Sequence, residues 1–195
     1  MPQQPLFGGA LSSFVPDGWL DVSALRDVPS HQEVFRAGSG ASLIFEIVEL
    51  QSGITDAAAA RFFWDDLAES NEAGTLAFEE LRPLSAGGEC GAATAAARAG
   101  GVLVAARGEQ ELGESARDRD RRVRVWLGVV RLRQSNSEVV VTLNVPYAGE
   151  RAMAAGLTGG GSDGAGAPFG VGEADAAFKR ALDTLAVNDW GLFDG

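Results

Sequence analysis

Residues Val123–Leu132 constrain the fold more than any other stretch of this chain. Both alternating sets of side chains are apolar: Val123, Val125, Leu127 and Val129 on one, Trp126, Val130 and Leu132 on the other. Side chains alternate between the two faces of a strand, so a strand apolar on both faces must be covered on both. It belongs in the middle of a sheet with a layer packed on each side. After the turn residues Gln134–Ser137, Val139, Val141, Leu143 and Val145 alternate with Val140, Thr142 and Asn144. This pattern predicts a second strand with one wetter face, paired with the first as an antiparallel hairpin, and Pro146 is expected to end it.

The covering layers are found elsewhere in the chain. Asp56–Asn71 places Ala60, Phe63, Trp64 and Leu67 at helical spacing, with Thr55 as a candidate N-cap. Glu173–Val187 places Ala174, Phe178, Ala181, Leu182 and Leu185 on one helical face. A further strand is predicted over Ser42–Leu50, with Leu43, Phe45 and Ile47 on one face and Ile44, Glu46 and Val48 on the other. Glu33–Arg36 is short and β-prone, and Leu76–Leu84 is another candidate strand. Leu6–Val15 reads as extended around Gly8 and Gly9. Pro16-Asp17-Gly18 reads as a turn, and Asp21–Pro29 as one helical turn capped by Ser23. Ser85–Gly101 has weak patterning and reads mostly as loop. Gly149–Gly172, rich in Gly, Ala and Ser, reads as a flexible insertion. The order of elements predicts one α+β domain over residues 1–195, a mostly antiparallel central sheet sandwiched between helices.

The chain offers little for catalysis. Metal centres draw on His and Cys, and the sequence has one of each, His31 and Cys90. A single cysteine excludes an intrachain disulfide. His31 stands in a polar turn without the surroundings of a nucleophile triad. The glycines of Gly159–Gly166 lack the lysine that a phosphate loop requires. No cofactor is expected. Sixteen Lys and Arg against 27 Asp and Glu leave a formal net charge of −11. Such a surface disfavours nucleic acid and anionic lipid and speeds the approach of basic partners. Arg117, Arg119, Arg121, Arg122 and Arg124 are interrupted by Asp118 and Asp120, which fits a solvated lead-in to a strand. Neither a signal peptide nor an apolar run long enough for a bilayer is expected from the sequence. Glu46 differs from the other acids because it interrupts an apolar strand. An inward charge there would be costly, so its face should open to water or to a partner. Glu49, three residues on, should point to the opposite face unless the strand is bulged.

Several segments together resemble the Ran guanine nucleotide release factor family, the Mog-type nuclear import factors. They are Pro5-Leu-Phe-Gly-Gly-Ala10, Pro16–Pro29, Gln32–Phe35, Ser42–Gln51, Ala59–Leu67, Val130–Arg133 with Val139–Pro146, and Asn188–Phe193. Ser85–Gly101 and Gly149–Gly172 depart from the family pattern, and Phe63 stands where relatives often carry His. The resemblance implies the Mog-type fold, also seen in extrinsic photosystem II subunits. It implies a non-enzymatic protein that binds the GTPase Ran and promotes nucleotide release in the nucleus and cytoplasm. The alternative is a binding or scaffold domain of the same fold serving another protein. The implied partner-binding residues are Asp21, Arg26, Glu33, Glu46 and Glu49. From the residues alone, Asp21 could equally cap a turn, and Arg26 and Glu33 could pair with each other.

Overall fold

The computed structural model describes residues 3–22, 27–81, 90–113, 122–147 and 169–193. In chain order these form β1 (Gln4–Leu6), β2 (Leu11–Ser13), β3 (Leu20–Asp21), β4 (Gln32–Arg36), β5 (Ser42–Glu49) and α1 (Asp56–Ser70). There follow β6 (Gly74–Leu81), α2 (Gly91–Arg98), β7 (Leu103–Glu111), β8 (Arg122–Leu132), β9 (Ser137–Tyr147), α3 (Val171–Thr184) and β10 (Ala186–Val187). The main sheet runs β3-β4-β5-β9-β8-β7-β6, and every neighbouring pair is antiparallel. A small sheet, β1-β2-β10, brings the two ends of the chain together.

The doubly apolar segment is β8, inside the sheet between β9 and β7, as its pattern requires. Val123, Val125, Leu127 and Val129 join Phe63 and Trp64 of α1 in a core on one face. Trp126, Val130 and Leu132 join a larger core on the other face, closed by α2, α3 and the small sheet. Burying a side chain such as Phe178 contributes roughly 1.5–3 kcal/mol. Gly128 lies under α3: a Cβ there would stand 2.9 Å from Leu182 Cδ2.

Several expectations are corrected. Ser85–Gly101 is not mostly loop, because Gly91–Arg98 is helical and buries Ala92, Ala95 and Ala96. Alanine is the best helix former, and its small side chain lets α2 pack closely against α3 and β8. The second half of β7 is polar and carries little strand pattern, so the strand was not anticipated. Pro146 does not end β9, which continues to Tyr147. Beyond Asn144 the strand has left β5 and pairs with β8 alone, a place where proline is tolerated. The helix expected at Glu173–Val187 is α3, ending at Thr184. The residues after Leu185 form β10, an edge strand of the small sheet. Val171 and Gly172 belong to α3 and not to the insertion, and residues 149–168 lie outside the described residues. The extended stretch expected at Leu6–Val15 is part of a hairpin, Gln4–Ser13, whose strands are joined by a 3-10 turn at Phe7–Gly9. Asp21 is in a strand, and Ser23 and Arg26 lie outside the described residues. Thr55 takes the N-cap position of α1 without a side-chain cap bond.

Candidate partner-binding surface

The strand β5 pairs with β9 without a bulge from Ser42 to Glu49, so alternation holds along it. Glu46 therefore shares a face with Ile44 and Val48, and Glu49 lies on the opposite face with Phe45 and Ile47. On Glu46's face α1 packs over β6, β7 and β8, at the far side of the sheet from β3 and β4. The near part keeps contact with solvent: Ile44 and Glu46 are half-buried and Leu20 is 64% exposed. The open face that the charge at Glu46 implied is thus present. Glu46 is held there by two neighbours. Gln32 Nε2 donates to Glu46 Oε1 at 2.7 Å from the paired position on β4, and His31 Nε2 lies 3.4 Å from the same oxygen. Glu49, exposed at the end of β5, accepts from Asn136 Nδ2 at 3.3 Å.

Asp21 and Glu33 form a different group. Glu33 is opposite Phe45 on β4 and points to the face of the larger core, and Asp21 is opposite Phe35 and shares that face. Glu33 Oε1 accepts the backbone N–H of Phe7. Burial pushes the Glu33 carboxyl above its ordinary pKa, the Phe7 N–H opposes that shift, and the charge of nearby Asp21 adds to it. Asp21 is exposed. The five expected residues do not converge on one patch. Glu46 lies on one face of the sheet, Asp21 and Glu33 share the other, and Glu49 stands at a strand end on that second face. Arg26 lies outside the described residues.

Two features escaped sequence reasoning. One is Phe7, whose contact with Glu33 spans 26 residues. The other is a buried ion cluster where the chain enters α1. Arg131 Nε lies 2.7 Å from Glu138 Oε1, with neither side chain more than 2% exposed. Their alignment falls outside hydrogen-bond geometry. Arg131 also donates to Asp56 Oδ1, Ile54 O and Gln51 O at 2.9, 3.1 and 2.7 Å. A charge in doubly apolar β8 was the available signal for this cluster. Together these bonds tie the approach to α1 through Gln51, Ile54 and Asp56.

With this geometry in view, the family described as "Ran-interacting Mog1 protein" matches residues 4–146. A Ran guanine nucleotide release factor of Homo sapiens is 31% identical over 190 residues, covering 97% of this chain and 95% of that protein. The nuclear import protein MOG1 of Saccharomyces cerevisiae is 29% identical over 164 residues, covering 77% of this chain and 68% of that protein. The crystal structure of the Saccharomyces cerevisiae Ran-binding protein Mog1p superposes with a TM-score of 0.67 at 23% identity, over 98% of this chain and 97% of that one. That likeness shows the fold. On the family match and the near full-length human relative, the chain belongs to the Ran-interacting Mog1 protein family.

Proposed function

We propose that this protein binds the small GTPase Ran and promotes release of its guanine nucleotide, in support of transport between nucleus and cytoplasm. The observation that carries this reading is the alignment, over nearly the whole of both chains, with a protein named for that activity. Residues 1–195 are read as one Ran-binding domain acting as a monomer. It is a regulator without a catalytic site of its own. Release needs no reacting group: a factor that binds the empty GTPase more tightly than the loaded one must weaken nucleotide affinity by the same factor. The open face with Leu20, Ile44 and Glu46 is the proposed docking surface, and Asp21 of β3 points to the opposite face. For Asp21, Arg26, Glu33 and Glu49 only the resemblance implies a contact, and the open face does not present Asp21, Glu33 or Glu49. An acidic surface opposite a basic GTPase surface supplies steering and specificity.

The direct test measures loss of labelled nucleotide from Ran with increasing amounts of this protein, and binding to the GTP, GDP and empty forms. Acceleration with preference for the empty form is expected. An unchanged off-rate at saturating protein would refute release. Loss of binding to all three forms would leave the scaffold alternative, a domain of this fold with another partner.

A further inference from the structure

Arg36, at the end of β4, is a second charge on the open face. It is exposed, and it pairs with Leu20 on β3 and Ser42 on β5. Alternation along β4 puts it on the same face as Gln32 and Val34, and so with Ile44 and Glu46 of β5. Every other Lys and Arg among the described residues is engaged. Some meet a carboxylate, as Arg61, Arg107 and Lys179 do, and Arg98 and Arg180 lie over the rings of Trp190 and Phe14. Arg36 has no such partner among the described residues. Its neighbours on the face are neutral: Ser42 accepts from Asn144 Nδ2 of β9 at 3.4 Å, and Leu20 is 64% exposed.

The two charges stand at opposite ends of the face. Arg36 lies four residues along β4 from Gln32, the cross-strand neighbour of Glu46, which is about 13 Å along the strands. Ile44 lies between them and Leu20 beside Arg36. A partner that covers these apolar side chains also takes water from the guanidinium. A carboxylate then suits it best, because its two oxygens match the planar fork of arginine with two parallel hydrogen bonds.

We propose that the open face is bipolar and that Arg36 fixes the orientation in which Ran docks: Glu46 receives a basic group of the GTPase, and Arg36 receives a carboxylate about 13 Å away. The inference rests on the Ran-binding reading above and adds the second charge of the contact. A GTPase turned end for end would meet like charge at both ends, so that orientation is disfavoured.

Arg36→Glu separates this role from that of a solvated cation, because the two predict opposite changes. Losing one positive charge and gaining one negative takes the net charge from −11 to −13, which by itself quickens the approach of a basic partner. A solvated arginine would therefore give a complex as tight as the parent's or tighter. An arginine that meets a carboxylate gives a dissociation rate from nucleotide-free Ran raised at least about tenfold. Arg36→Lys keeps the charge and loses the fork, and should raise dissociation about threefold. Both variants should melt with the parent, because the side chain is exposed. Among Ran variants that each carry one surface carboxylate changed to lysine, one should hold Arg36→Glu more tightly than unaltered Ran does. Surface plasmon resonance reads all of these rates. A parent that binds no form of Ran overturns the Ran reading and this inference with it. A parent that binds, with Arg36→Glu dissociating no faster or no Ran variant restoring it, overturns the inference alone.

Discussion

Glu46 and Glu49 are three residues apart on one strand and answer to different surroundings. Glu46 sits between Gln32 and His31 on the face that α1 leaves open, and Glu49 sits at a strand end on the other face. A rigid partner docking on the open face meets the first and not the second. Glu46→Lys should slow association with Ran strongly, since like charges across an interface cost several kcal/mol. Glu49→Lys alone should leave the rate near the parent value. Stopped-flow association of the two single variants checks this, and equal defects would place the contact at the strand end. A second residue makes a chemical prediction. Tyr147 is the only tyrosine in the chain. Burial, and then its hydrogen bond to Glu109 Oε2 at 2.6 Å, push its pKa up to about 12. The phenolate absorbance of the folded protein should therefore appear near pH 12, well above the ordinary value. Because the folded pKa lies above the unfolded one, the contribution of Tyr147 to stability is complete below pH 10 and is lost as pH rises from there toward about 12. A transition centred near 10 in the folded protein would show that Tyr147 is neither buried nor held by Glu109 in solution. Of these residues Glu46 was marked by the pattern itself, as a charge inside an apolar strand, while Glu33 and Glu49 entered through the family resemblance. Nothing local distinguished the settings of Glu33 and Tyr147, because their partners are 26 and 38 residues away.

At the scale of elements, the strands with alternating apolar residues and the two amphipathic helices were legible, while α2 and β7 were not. Alanine gives no contrast between a buried and an exposed face, so α2 has helix propensity without a visible stripe. In β7 the polar residues Arg107 and Glu109 pair across strands with Glu79 and Arg124. The strand thus alternates by pairing more than by hydropathy. The ion cluster at the start of α1 supports a prediction of its own. Arg131 and Glu138 are buried opposite each other on β8 and β9, and Arg131 ties down the approach to α1 through Gln51, Ile54 and Asp56. Burial raises the Glu138 carboxyl pKa, while the Gln51 N–H and Arg131 pull it down, and the net shift is upward. Removing one partner leaves a buried charge without compensation, which typically costs about 3–5 kcal/mol. Arg131→Met should therefore lower the urea midpoint sharply. The double variant Arg131→Met with Glu138→Leu should recover most of the loss, because a buried ion pair gains little over well-packed apolar side chains. A double variant no more stable than Arg131→Met would mean that the arginine's bonds to the loop carbonyls, and not its pairing with Glu138, hold α1 in place.

At the scale of the whole molecule, the chain ends illustrate what sequence could and could not give. The Pro5–Ala10 and Asn188–Phe193 segments were recognisable as family features, but their meeting through β2 and β10 is a matter of topology. The charge balance, by contrast, was readable at once, and it supports the last prediction. A net charge of −11 sets up a field that reaches a basic partner before contact does, so it acts on the encounter. Added salt shortens that reach to about 8 Å at physiological ionic strength. The association rate with Ran should fall steeply as salt is raised, with the dissociation rate changing little. The apolar part of the docking face should behave in the opposite way. Leu20 is 64% exposed on the same face as Glu46, so truncating it removes little from the folded core. If it is covered in the complex, Leu20→Ala forfeits contact area, raises the dissociation rate and leaves the salt slope of association unchanged. The melting temperature of this variant should match the parent. A dissociation rate indifferent to Leu20→Ala would exclude β3 from the interface. An association rate indifferent to salt would mean that the acidic surface does not guide the encounter.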